Sequence, residues 1–228
     1  YILYKPLGSG GIGFVFKAHK ENDEGKKYAV KLSLRSCKNT DETERQLMRE
    51  AETASAVGPH RNLVNFVEYG KDGDEFYVVF DFVDGERLDD FIERKKHVSE
   101  NRALNIVNQI IVVEEYICSM GYLYRDLKPE NIILEKNGNL KICDYGLCIP
   151  SKDAIIHDNI PDEIEGSPYC IPPERILGKS EGQYSEIYSL GMILFHMLSG
   201  KPYFTETEIN ELLAKHIESV GVKSVSGF

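Results

Sequence analysis

The hydrophobic pattern of this chain changes period once, near residues 81 to 85, and that change restricts the fold more than any single motif. Before it, short segments alternate apolar and polar residues between Gly, Asp and Asn clusters, the pattern of half-buried strands. Phe14 to Ala18, Lys27 to Leu34, Val64 to Tyr69 and Phe76 to Val83 read this way, with turns at Asn22-Asp23-Glu24-Gly25 and Lys71-Asp72-Gly73-Asp74. One helix interrupts them, Asp41 to Ala56, opened by Thr40 or Asp41 and closed by Gly58-Pro59, with Leu47, Ala51 and Ala54 on one face. After Asp84-Gly85 the period becomes helical: Leu88 to Lys95, then about Ser99 to Met120 with Ala103, Ile106, Val107, Ile110, Ile111 and Ile117 on the buried side. A short helix around Ile209 to Ile217 follows later. The pattern predicts an α+β fold in which a mostly β lobe, residues 1–84, precedes a mostly α lobe, residues 85–228. A cleft between lobes is a usual place for a ligand.

Three stretches carry chemistry. Gly8-Ser9-Gly10-Gly11-Ile12-Gly13 contains Gly-x-Gly-x-x-Gly, a weak signal by itself that two unrelated nucleotide-binding designs share. A dinucleotide fold needs a helix directly after the last Gly, whereas Phe14 onward reads as a strand. The glycines therefore sit at a hairpin tip, where backbone amides can approach phosphates with no Cβ in the way. The bland alternative is a flexible turn. Tyr28-Ala29-Val30-Lys31 puts Lys31 on the same face as Ala29, and an inward Lys needs an anion. Glu50 on the following helix is the best partner, with Glu52 second; for a single Glu on an acidic helix a solvated face is the competing reading. Finally, Tyr124-Arg125-Asp126-Leu127-Lys128-Pro129-Glu130-Asn131 and Asp144-Tyr145-Gly146 together offer a base, a cation and two oxygen ligands for a metal, a set suited to phosphoryl transfer.

Composition removes other classes. The net charge of −10 and the lack of a long Lys/Arg block argue against a nucleic-acid binder; Arg94-Lys95-Lys96 is short and reads as the solvated end of a helix. The longest apolar runs, such as Ile110 to Val113, are too short to span a bilayer, and no signal peptide opens the chain, although Tyr1 does not read as a native start. Five cysteines with no Cys-x-x-Cys pair and no His at zinc spacing fit a reducing cytosol. The chain is long enough, with 42% hydrophobic residues, for one large domain or two small lobes with real cores.

With these parts in this order, the sequence resembles the eukaryotic-type protein kinase family, serine/threonine branch, from the Gly-rich hairpin to about Phe204. Tyr28 to Lys31 matches the strand with the phosphate-binding Lys, and Glu50 falls where the family places a helix glutamate. Arg125 to Asn131 matches the catalytic loop, Asp144 to Gly146 the metal-binding triplet, and Gly166-Ser167-Pro168-Tyr169-Cys170-Ile171-Pro172-Pro173-Glu174 the end of the activation segment. The resemblance implies a two-lobed kinase fold and transfer of the γ-phosphate of ATP to Ser/Thr hydroxyls of a protein, with Mg²⁺. It implies that Asp126 orients the substrate hydroxyl, Lys128 steadies the γ-phosphate, Lys31 and Glu50 form a pair, and Asn131 and Asp144 hold the metal. Gly8, Gly10 and Gly13 would lie over the nucleotide, Val15, Ala29 and Ile133 would sandwich adenine with Phe80 behind, and the backbone of Asp81 and Val83 would bond its edge. Ser167 reads as a structural hydroxyl near Asp126.

The chain departs from the family pattern at named places. Tyr124 stands for the usual His, Tyr145 for Phe, and Glu186 in Ser185-Glu186-Ile187-Tyr188-Ser189-Leu190-Gly191 for Asp. Glu174 lacks the usual downstream Arg, because Arg175 is the last Arg in the sequence, and the closing helices of the α lobe are not recognisable. Arg125 marks the kinases whose activation loop is ordered by a phosphate. Between Leu147 and Gly166 the only hydroxyl is Ser151, and the segment is acidic, so a carboxylate, Glu163 first among them, is expected to pair with Arg125 and make activity independent of loop phosphorylation, with a solvated acidic loop as the competing reading. The competing functions are a pseudokinase or scaffold on the same fold and a small-molecule kinase. A divergent bacterial, effector-type member is a source consistent with the departures; the expected setting is cytoplasmic, or a host cell for an effector. Substrate and oligomeric state lie beyond the sequence.

Overall fold

The computed structural model describes residues 1–10, 13–33, 40–154 and 165–218. Strands β1 (Ile2–Gly10), β2 (Gly13–Lys20), β3 (Asp23–Leu32), β4 (Phe66–Asp72) and β5 (Glu75–Asp81) form one antiparallel sheet in the order β1-β2-β3-β5-β4, and helix α1 (Thr40–Val57) lies between β3 and β4 in sequence. Alternation along β3 does what the pattern predicts: Tyr28 and Val30 pack with Ala18 and Val79 on one face, while Ala29 and Lys31 face the cleft. The buried stripe of α1, Leu47, Ala51 and Ala54, joins Val78 and Phe80 from the sheet's other side. One turn differs from expectation. The β2–β3 hairpin closes over Glu21 and Asn22, with Lys20 opposite Asp23, because the Asp23 carboxylate accepts the Gly25 N–H at 2.9 Å and keeps Asp23 to Gly25 within the strand.

From Gly85 onward the chain is mainly helical, with short strands. In order come β6 (Gly85–Arg87), α2 (Leu88–Lys95), α3 (Glu100–Ser119), β7 (Tyr122–Leu123), β8 (Ile132–Glu135), β9 (Leu140–Ile142), β10 (Ile149–Pro150), α4 (Pro173–Ile176), α5 (Gln183–Ser199) and α6 (Ile209–Glu218). β6, β8 and β9 make a three-stranded sheet and β7 pairs with β10. This is the expected two-lobed α+β architecture. Helix α3 buries Ala103, Ile106, Val107, Ile110, Val113 and Ile117. Ile111 is a correction: it is 40% exposed, since one residue past Ile110 is a rotation of about 100° away from the core, and Val113 takes the inward place. Helix α5 ends at Gly200, whose φ is 74° and where a Cβ would sit 1.6 Å from the Lys96 carbonyl oxygen; only Gly lets α5 close against the end of α2. A continuous apolar core links α1 and β5 to α3 and α5 through Tyr145, Tyr124, Leu127 and Ile193. No helix among the described residues is long and apolar enough to cross a membrane.

Candidate active site

A cavity of about 430 Å³ lies where β1 to β3 and β5 face β8 and the segment after β9. Its apolar walls are Val15, Ala29, Phe80, Val83 and Ile133. Gly8 and Gly13 line it from above; Gly10 ends β1 opposite Gly13, and Gly11 and Ile12 lie outside the described residues. Gly13 has a reason of its own to be Gly: at φ 150°, a Cβ there would lie 1.9 Å from the Leu32 carbonyl oxygen, so the close β2–β3 approach demands it. At the connecting segment the Asp81 N–H donates to Asn65 O at 2.9 Å and the Phe82 N–H to Lys27 O at 3.1 Å. Among the described residues the Val83 N–H has no such backbone acceptor.

The polar end of the cavity holds two connected groups. In the first, Lys31 Nζ donates to Glu50 Oε2 at 2.7 Å and to Asp144 Oδ1 at 3.3 Å. Glu50 is the partner and Glu52 is not. Burial works against the Lys31 charge, yet the Glu50 and Asp144 carboxylates outweigh it and hold the amine protonated well above its usual range. Burial pushes Glu50 up to about 7 despite the facing ammonium. For Asp144, burial is outweighed by Lys31 and by the Gly146 N–H at 3.2 Å, and its carboxyl is held below the ordinary range. In the second group Asp126 Oδ2 accepts from Lys128 Nζ at 2.7 Å and from Asn131 Nδ2 at 2.7 Å, and Asn131 Nδ2 also reaches the Asp126 carbonyl at 3.0 Å. The Asn131 amide nitrogen is thus committed, leaving its oxygen for another partner. Asp126 Oδ1 is buried with no hydrogen-bond partner among the described residues. Burial raises the Asp126 carboxyl above its ordinary range, with Lys128 and Asn131 pulling the other way.

The three substituted positions are each accommodated. Tyr124 donates its hydroxyl to Cys143 O at 2.5 Å, and Tyr145 donates to Val64 O at 3.1 Å while stacking on Phe80 with ring centroids 6.1 Å apart. Both hydroxyls thereby find acceptors inside the core. Glu186, 5% exposed, accepts the Arg125 N–H at 2.8 Å, so the longer carboxylate still reaches the loop backbone. Burial pushes it up to about 7. Glu174, with no downstream Arg, takes a hydrogen bond from the Ser185 hydroxyl instead. His216 of α6, whose pKa burial lowers, donates from Nε2 to Pro168 O at 2.8 Å and pairs at Nδ1 with the Tyr188 hydroxyl 2.7 Å away, which ties α6 to the segment after Gly166.

Sequence reasoning missed two residues under the loop. Glu181 Oε1 accepts from Arg125 Nε at 3.0 Å and Nη2 at 2.7 Å, and Glu181 Oε2 accepts from Arg175 Nε at 2.8 Å and Nη2 at 2.5 Å. Glu181 sits in the polar link Gly178-Lys179-Ser180-Glu181-Gly182, where nothing in composition sets it apart. The expected partner of Arg125, Glu163, lies outside the described residues.

Comparison with known proteins agrees with this geometry. Residues 1–225 match the family model described as protein kinase domain. The chain is 30% identical over 220 residues to the serine/threonine-protein kinase PrkC of Bacillus subtilis, covering 96% of this chain and 33% of that protein. It is 32% identical over 225 residues to calcium-dependent protein kinase 7 of rice, covering 96% and 40%. It is also 34% identical over 216 residues to calcium-dependent protein kinase 31 of Arabidopsis thaliana, covering 91% and 43%. The chain belongs to the protein kinase domain family. It spans between a third and somewhat over two-fifths of the length of these curated relatives, which come from bacteria and plants alike.

Proposed function

We propose that this domain is an ATP- and Mg²⁺-dependent protein serine/threonine kinase, with residues 1–84 and 85–228 as its two lobes. The observation that carries this reading is the state of Asp126: one carboxylate oxygen is held by Lys128 and Asn131, and the other is enclosed with no partner among the described residues. That free oxygen is the acceptor for an incoming hydroxyl, and its raised pKa suits a group that takes up a proton late in transfer. Lys128, beside it, offsets charge on the transferring group. Lys31, fixed by Glu50 and Asp144, presents its remaining N–H toward the nucleotide phosphates. Val15, Ala29 and Ile133 hold the adenine, with the Val83 N–H and the Asp81 carbonyl at its edge; Gly8, Gly10 and Gly13 let the first hairpin close over the phosphates.

The donor set fits Mg²⁺: a free Asn131 amide oxygen and an Asp144 carboxylate with one oxygen uncommitted among the described residues are hard ligands, few enough for the ion to keep waters. When bound, the ion supplies positive charge to phosphate oxygens. Serine and threonine acceptors follow from Lys128, two residues after Asp126, and from relatives named as serine/threonine kinases. A reducing, cytoplasmic setting belongs to the proposal through the cysteine spacing.

The test is transfer of label from radiolabelled ATP to a generic protein substrate. The wild-type domain transfers it and Asp126→Asn does not; ATP binding with no transfer at any metal concentration overturns the reading in favour of a binding module.

A further inference from the structure

Arg125 directly precedes Asp126 and stands in a left-handed backbone conformation, φ 68°, which a non-Gly residue keeps only when its surroundings impose it. Arg125 is held from below at its N–H, its carbonyl and two of its three guanidinium nitrogens. Its N–H donates to Glu186, its carbonyl accepts from Arg175 Nη1 at 2.6 Å, and its guanidinium donates twice to Glu181 Oε1. Glu181 is the joint of this frame, because its second oxygen takes two bonds from the same Arg175 whose third nitrogen holds the Arg125 carbonyl. One carboxylate, 6% exposed at its side chain, thus balances two guanidiniums, and their hydrogen bonds keep it ionised against its burial. The Glu181 N–H in turn donates to Ala154 O at 2.9 Å, and Gly182 next to it starts α5. The clamp therefore joins the turn that follows β10, the start of α5 and the loop that carries Asp126.

The segment from Leu147 to Gly166 contains a single hydroxyl, Ser151, and its Oγ is enclosed, with no hydrogen-bond partner among the described residues. An anion added there would first have to open the fold. We propose that Glu181 is a positioning residue for phosphoryl transfer: it supplies from within the chain the anion that Arg125 requires, so that Asp126 is set for catalysis with no covalent modification of the segment between Leu147 and Gly166. The proposal rests on the kinase reading above and adds its regulation.

The experiment uses domain treated with phosphatase and shown by intact mass to carry no phosphate, with kcat and KM for ATP and a generic protein substrate measured for wild type, Ser151→Ala, Glu181→Gln and Glu181→Asp. Wild type and Ser151→Ala are expected to turn over equally, within about twofold of enzyme before phosphatase. Glu181→Gln is expected to lose about a hundredfold in kcat, the cost of a misplaced reacting group, with the KM for ATP within about threefold. Glu181→Asp, which keeps the charge on a shorter arm, is expected to recover part of that loss. Loss of wild-type activity on phosphatase treatment, or a Glu181→Gln enzyme within threefold of wild-type kcat, overturns the proposal. If Glu181→Gln no longer binds nucleotide and so fails to fold, Glu181→Asp decides: a lowered kcat at unchanged KM supports the role and an unchanged kcat overturns it. A wild-type domain that transfers no phosphate before or after phosphatase, and matches Asp126→Asn, instead contradicts the kinase reading itself.

Discussion

The catalytic loop has a front and a back, and they are built differently. At the front, Asp126, Lys128 and Asn131 satisfy one another within six residues of sequence, and the arrangement leaves one Asp126 carboxylate oxygen enclosed with no partner among the described residues. At the back, Arg125 is gripped by Glu186, Arg175 and Glu181, each fifty or more residues away. The front is arranged to meet a reactant; the back is arranged to hold a strained backbone still. Substitutions at the front should therefore change turnover and leave the fold intact, whereas those at the back should change stability as well as turnover.

The largest expected effect is at the front. Asp126→Asn should lower kcat by about a thousandfold or more, in the range that removal of a general base costs, with the unfolding midpoint little changed. A comparable loss of stability would erase the distinction between the two sides. Next comes the back: Glu186→Ala strips the buried Arg125 N–H of its acceptor and should cost about 2–3 kcal/mol in chemical denaturation, the penalty of a buried orphaned donor plus lost packing. A smaller cost would mean that water or a neighbouring group replaces the carboxylate.

A pH experiment sharpens the same contrast. Burial raises Glu186 to about 7, and Glu114 of α3, whose Oε1 is enclosed with no partner, is raised well above its usual range by burial and by Glu186. A carboxyl raised in the folded state contributes stability that is full below its unfolded pKa and lost as pH rises through the folded value. The stability contributed by these carboxyls should accordingly fall between pH 5 and pH 8, and Glu114→Gln, by removing the like charge, should stabilise the domain at pH 8 by about 1 kcal/mol relative to its effect at pH 5. Glu50, also raised to about 7, works in the same direction. The smallest effect is at Tyr145: Phe in its place removes one hydrogen bond to Val64 O and should cost about 1 kcal/mol with kcat unchanged.

The same division explains what could be read from the sequence. Strands β2, β3 and β5 and helices α1, α2 and α3 were legible because alternation and helical periodicity are local, and Lys31, Glu50, Asp126, Asn131 and Asp144 stood out because their residue types recur at fixed spacings. Ile111 was misassigned by one helical step, an error that periodicity permits wherever apolar residues are adjacent. Strands β6 to β10, two to four residues each, were not legible, since such short strands exist only through pairing with distant partners. Glu181 and Arg175 were invisible for a related reason: an acid and a base in polar stretches look solvated until the fold brings both onto Arg125.

Phosphoamino acid analysis of a protein substrate labelled by the unmodified wild-type domain tests the account most directly. The account predicts label on serine and threonine, dependent on added Mg²⁺ and absent with Asp126→Asn. Label confined to tyrosine, or label that persists in Asp126→Asn, would contradict it.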